Sequence, residues 1–230
     1  MQVEYCQFPD DILYDIENFV WIKVLEDDGS TKSGNAIIGI TPILTSLAGR
    51  ILKIRLKSIN NMIYKGKSIG TLESDRYFGV IRAPVNGRIL KINERIIKDP
   101  KLTNDFPYTE GWIVKMAIQP LSENTNELKN IADIEETVHK IIRELNVRCF
   151  STTPDIEMIE LGSECSAVLT KLDDLMTSLD SGKVVHLVSD NPYASTDVYL
   201  QTYMRWSSFA GYQLMDMRKE GNIFHFVIKK

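Results

Sequence analysis

Between residues 13 and 118 the apolar positions come in short runs broken by turn residues, a spacing that predicts strands. Val20-Trp21-Ile22-Lys23-Val24-Leu25 reads as a strand closed by the turn Glu26-Asp27-Asp28-Gly29-Ser30, with Ala36-Ile37-Ile38-Gly39-Ile40 as its partner. Further strands are expected at 50–56, 68–73, 78–82, 88–92 and 112–118. Thr41–Leu47 reads as a short helix with Thr41 at the N-cap and Pro42 at the first helical position. Many short strands punctuated by glycine and proline predict a β-sandwich or flattened barrel.

The period changes after residue 118. A polar, proline-bearing stretch, 119–130, reads as a linker. An amphipathic helix follows from Asp133 to Leu145, with Ile134, Val138, Ile141, Ile142 and Leu145 on one face. Beyond it the order is strand (Ile156–Leu161), helix (Ser166–Leu179), strand (Val184–Val188), helix (Tyr193–Phe209) and a hairpin. The hairpin pairs Gln213–Met217 with Ile223–Ile228 across Lys219-Glu220-Gly221-Asn222. Such a β-α-β-α-β-β order predicts a two-layer α/β sandwich. The expected class is therefore α+β, with domains at 1–118 and 151–230 and a helix-bearing linker at 119–150. His186, mid-strand among valines and leucine, reads as packed against a helix. Tyr203, Arg205 and Trp206 read as part of the second helix, bordering Cys165 at most.

One segment occurs twice. Gly49-Arg50-Ile51-Leu52-Lys53-Ile54 returns as Gly87-Arg88-Ile89-Leu90-Lys91-Ile92, each copy reading as a turn glycine that feeds a strand. Two copies imply a pseudo-twofold domain of matching β half-motifs. Between them lies Gly70-Thr71-Leu72-Glu73-Ser74-Asp75-Arg76-Tyr77-Phe78-Gly79, a hairpin with a polar tip.

Repeat, hairpin, repeat resembles the layout of lipoyl and biotinyl carrier domains. Residues 8–118 resemble the glycine cleavage system H protein family in more detail. The resemblance rests on Phe8-Pro9-Asp10-Asp11-Ile12-Leu13-Tyr14-Asp15, the Gly70–Ser74 strand and Ala83-Pro84-Val85-Asn86-Gly87. It continues through Asp99-Pro100-Lys101-Leu102, Asp105-Phe106-Pro107-Tyr108 and Gly111-Trp112-Ile113. It implies an all-β lipoyl-type (hybrid-motif) fold with a lipoyl lysine three residues after the hairpin glutamate. Counting from Glu73 gives Arg76. A guanidinium is a delocalised cation and a poor nucleophile, so no lipoate cofactor is expected. Arg76 reads either as a solvated tip residue or, with Glu73, Ser74, Asp75, Tyr77 and Phe78, as a hairpin contact surface. Lys65 and Lys67 read as turn lysines.

The second domain resembles, less closely, the TusA/SirA family of small sulfur carriers. The resemblance is carried by Leu161-Gly162-Ser163-Glu164-Cys165-Ser166, the turn Asp190-Asn191-Pro192 and the closing hairpin. It implies a persulfide on Cys165, supported by Gly162 and Ser166 at a helix N-terminus, whose unpaired N–H groups favour thiolate. Ser166 and Val168 stand where that family has prolines.

Composition adds exclusions. At 43% hydrophobic and 25% charged the 230-residue chain can build a core throughout. A net charge of −4 with scattered basic residues predicts no nucleic-acid partner. No run spans a bilayer and no signal peptide is read, so the expected compartment is the cytoplasm. Three histidines and three cysteines lack metal-ligand spacing. No disulfide framework is expected: Cys6 reads as an ordinary residue, and Cys149 as at most a resolving partner of Cys165. Three functions compete. They are a sulfur relay with donor or acceptor proteins and no stand-alone turnover, a binding scaffold, and, weakest, a glycine cleavage H protein.

Overall fold

The computed structural model describes residues 1–25, 34–119, 127–190 and 207–230. The turn expected at 26–30, Asn191-Pro192, most of the helix at 193–209 and residues 203, 205 and 206 lie outside the described residues. The chain divides into two compact units, Met1–Cys149 and Phe150–Lys230.

The first unit is built on two antiparallel sheets. The larger joins β3 (Leu13–Asp15), β4 (Val20–Leu25), β5 (Gly34–Ile40), β11 (Val114–Ile118), β10 (Gly87–Ile92) and β7 (Met62–Ile63), in that spatial order. The smaller joins β6 (Ile51–Leu56), β8 (Ser68–Ser74) and β9 (Phe78–Arg82). Alternate residues of each strand turn inward, so Ile22, Ile38, Ile54, Leu72, Ile81, Ile89 and Met116 form one core. A short hairpin of β1 (Gln2–Val3) and β2 (Cys6–Gln7) precedes the sheets. The helix predicted after Thr41 is α1 (Pro42–Ala48), with proline at its start as expected. Two single-turn helices, α2 (Glu94–Lys98) and α3 (Lys101–Asp105), bridge β10 and β11.

The amphipathic helix placed in a linker by the sequence is α4 (Ile131–Glu144), and it packs into the first unit. Its buried Ile134, Val138 and Ile142 meet Phe8, Tyr14 and Trp21, each burial contributing about 1.5–3 kcal/mol. Leu145, expected on the same face, follows the helix and is exposed. A disulfide joins Cys6 to Cys149, Cα atoms 5.1 Å apart across 143 residues. This corrects the expectation of no disulfide and of a Cys149–Cys165 pair. The return of α4 to the β1–β2 hairpin brings together two cysteines that sequence distance had separated.

The second unit is a four-stranded sheet with the order β12 (Ile156–Glu160), β13 (Val184–Ser189), β15 (Ile223–Lys229), β14 (Gln213–Glu220). β12 and β13 run parallel and the other pairs antiparallel. Helix α5 (Cys165–Ser178) lays Val168, Leu172 and Met176 against Val185, Leu187, Phe224, Phe226 and Ile228. β14 extends through Glu220, so the last turn is the two residues Gly221-Asn222, shorter than the four expected. Among the described residues, His186 is not in the cluster that packs against α5. Its neighbours Val185 and Leu187 take the α5 side, so alternation turns His186 to the other face. There its ring nitrogens lie 3.0 Å from His225 and 3.1 Å from Glu157, with the Phe150 ring at 4.6 Å.

Candidate functional site

The hairpin of β8 and β9 pairs through Glu73 and Phe78, which leaves Ser74-Asp75-Arg76-Tyr77 as its tip. The Ser74 amide donates to the Tyr77 carbonyl at 2.8 Å, closing a tight turn. The Ser74 hydroxyl donates to the Ala48 carbonyl at 2.6 Å and accepts from the Tyr77 amide at 3.1 Å. One serine thus fixes the turn and ties it to the end of α1.

Arg76 folds back. Its Nη2 donates to the Ser46 carbonyl at 3.0 Å, placing a cation at the C-terminal, partly negative end of α1. The guanidinium lies over Gly49, where a Cβ would come within 2.9 Å of Arg76 Nε. Gly49 also caps α1 with φ of 69° and ψ of −152°, a conformation that glycine alone adopts readily. Its counterpart in the repeat, Gly87, starts β10 directly and is instead crowded by the Ala117 carbonyl. Ser46 connects further: its hydroxyl donates to the Arg148 carbonyl and accepts from the Arg148 amide.

Tyr77 also turns inward. Its ring lies across Gly79, where a Cβ would fall 2.3 Å from the ring, and it packs against the first core. Phe78 projects outward with 66% of its surface exposed. Among the residues expected to form a contact surface, Glu73, Asp75 and Phe78 face solvent, whereas Ser74 and Tyr77 build the turn. Lys65 and Lys67 sit at the opposite end of β8, around the turn at Gly66.

In the second unit Cys165 is the first residue of α5, with Glu164 at the N-cap making no side-chain cap bond. Gly162 has φ of 70°, and its amide donates to Asp190 Oδ1 at 2.6 Å. Ser166 is exposed. Lys171 and Ser163 hydrogen-bond Glu160 and hold its carboxyl below the usual carboxylate range. Among the described residues no cluster of three or more His, Cys, Asp or Glu could hold a metal, and no helix is long and apolar enough to cross a membrane.

The sequence reading missed a concentration of charge. Residues 50–98 hold twelve Lys or Arg against three Asp or Glu, visible once the chain is divided at the repeat.

Residues 12–141 match the family model described as glycine cleavage H-protein. Glycine cleavage system H protein 3 of Aquifex aeolicus is 38% identical over 149 residues, covering 63% of this chain and 88% of that one. Probable glycine cleavage system H protein 2 of Sulfurisphaera tokodaii is 35% identical over 146 residues, covering 63% and 92%. A crystal structure of a glycine cleavage system H protein from Mycobacterium marinum aligns with a TM-score of 0.48 at 24% identity, covering 57% and 98%.

Proposed function

The chain belongs to the glycine cleavage H-protein family, and on that premise we propose that its first unit docks glycine cleavage enzymes through the β8–β9 hairpin. Membership corrects two expectations. The glycine cleavage reading, ranked last on the strength of Arg76, moves to first. The expectation of no cofactor is overturned as well, because the family is one that carries covalently attached lipoate.

Residue 76 does not fit that group as the acceptor. A lipoyl amide needs a primary amine, and Arg76 supplies a guanidinium already bonded to the end of α1. No step is therefore routed through residue 76. What the tip supplies is shape. Ser74, Arg76 and Tyr77 are each bonded or packed onto the unit, so the turn meets a partner already ordered, which lowers the entropy cost of binding. The observation that carries this reading is Phe78, a large aromatic held outward beside that fixed turn.

A sulfur relay through Cys165 rests on the place of that residue at the start of α5, and the family match ends at residue 141. The docking reading is tested by measuring the affinity of the full chain for the glycine cleavage enzymes of its host. Phe78→Ser should weaken binding at least about tenfold. Equal affinity in the variant and the parent would refute it.

A further inference from the structure

Across the β6-β8-β9 sheet, Lys53, Glu73 and Phe78 stand in one row, and Arg55, Thr71 and Val80 in the next. Ile54, Leu72 and Ile81 take the buried side, so these two rows form the outward face. Arg82, two residues past Val80, extends it. Phe78 and Val80, 66% and 40% exposed, thus form an apolar pair flanked by exposed Lys53, Arg55 and Arg82. Of the three acidic residues between 50 and 98, Glu73 lies within this face, between Lys53 and Phe78, and Asp75 lies at the turn. The cationic character is local, since the whole chain has a net charge of −4.

From this arrangement, and resting on the docking reading above, we infer that the partner is a protein surface with an acidic rim around an apolar slot. The slot receives Phe78 and Val80, while the rim faces Lys53, Arg55 and Arg82. This layout matches the apolar centre and polar edge of protein interfaces. Phosphate chains fit less well, because a phosphate backbone offers no apolar slot for the exposed Phe78 and Val80. Opposite charges across the rim steer encounter and make binding sensitive to salt.

The test uses the full chain and fluorescence anisotropy with two labelled probes, a short peptide in which Asp and Glu flank paired leucines and a thymidine oligonucleotide. The peptide should bind saturably and lose affinity about tenfold between about 50 and 300 mM salt. Lys53→Glu with Arg55→Glu should weaken it at least about tenfold, with the urea midpoint nearly unchanged because both side chains are exposed. Absence of peptide binding, or an oligonucleotide bound as tightly as the peptide, would overturn the inference. The charge-reversed variant is also assayed against the host glycine cleavage enzymes. If Phe78→Ser weakens that binding and charge reversal leaves it intact, docking stands and the acidic-rim inference fails.

Discussion

Leu52 and Leu90 occupy the same place in the two copies of the repeat, and each is skipped at a β-bulge. Pairing passes from Ile51 to Lys53 against β8, and from Ile89 to Lys91 against β11. Both leucines are left outside, at 44% and 45% exposed, while Ile51 and Ile89 are buried. The bulge absorbs one residue of alternation, so the apolar positions on its two sides still reach the core. Leu52→Lys and Leu90→Lys should each change stability by less than about 0.5 kcal/mol, against about 2–5 kcal/mol lost in Ile54→Ala. Urea denaturation of the three variants decides the matter.

The disulfide makes a second measurable difference. Cys6→Ser with Cys149→Ser should lower the unfolding free energy by about 2–4 kcal/mol, because the closed loop of 143 residues no longer restricts the unfolded chain. Alkylation followed by peptide mapping checks the pairing itself. Cys6 and Cys149 should take no label in the unreduced protein and full label after reduction.

Glu4 gives the β1–β2 hairpin a pH dependence. Its carboxylate accepts from Arg143 at 3.1 Å and lies 3.1 Å from His139, both on α4. Mainly through the Arg143 bond, the Glu4 carboxyl is held below its ordinary value of 4.5. A depressed carboxyl stabilises the fold above its unfolded value, and that contribution disappears as pH falls through the folded value. The parent should therefore lose stability more steeply below pH 4.5 than Glu4→Gln does. Parallel slopes in thermal melts across that range would count against the pairing.

Gly49 is held in place by its own backbone and by Arg76. Gly49→Ala should cost about 1–3 kcal/mol, because alanine resists a φ of 69° with ψ of −152° and its methyl would press on the guanidinium. Arg76→Ala in the same background should relieve the contact but not the backbone strain. A double-mutant cycle in urea separates the two contributions.

Arg76→Lys places a primary amine three residues after Glu73, on a turn that loses the guanidinium bond to Ser46 but keeps the Ser74 ties. Incubated with lipoate ligase, lipoate and ATP, the variant should gain one lipoyl group on the peptide containing residue 76. Modification confined to other peptides would show that the turn geometry does not meet the ligase.

Local pattern was enough for most of the strands, because alternation and turn residues act over a few positions. It predicted α1 from Thr41-Pro42, the hairpin from Gly70 to Gly79, and the H-protein likeness through motifs such as Ala83-Pro84-Val85. The identity of residue 76 was equally plain. What Arg76 does there depends on Ser46, thirty residues away, and only the packing of the hairpin against α1 brings that carbonyl within reach. The same limit hid the Cys6–Cys149 bond and the buried pairing of His186 with His225. Each depends on where separate elements meet, and that is set by the burial of α4 and of the sheet faces, not by spacing along the chain. Sequence alone determined which residues the hairpin carries. The tertiary structure decided that Tyr77 and Arg76 fasten it, leaving Phe78 as the ring that faces outward.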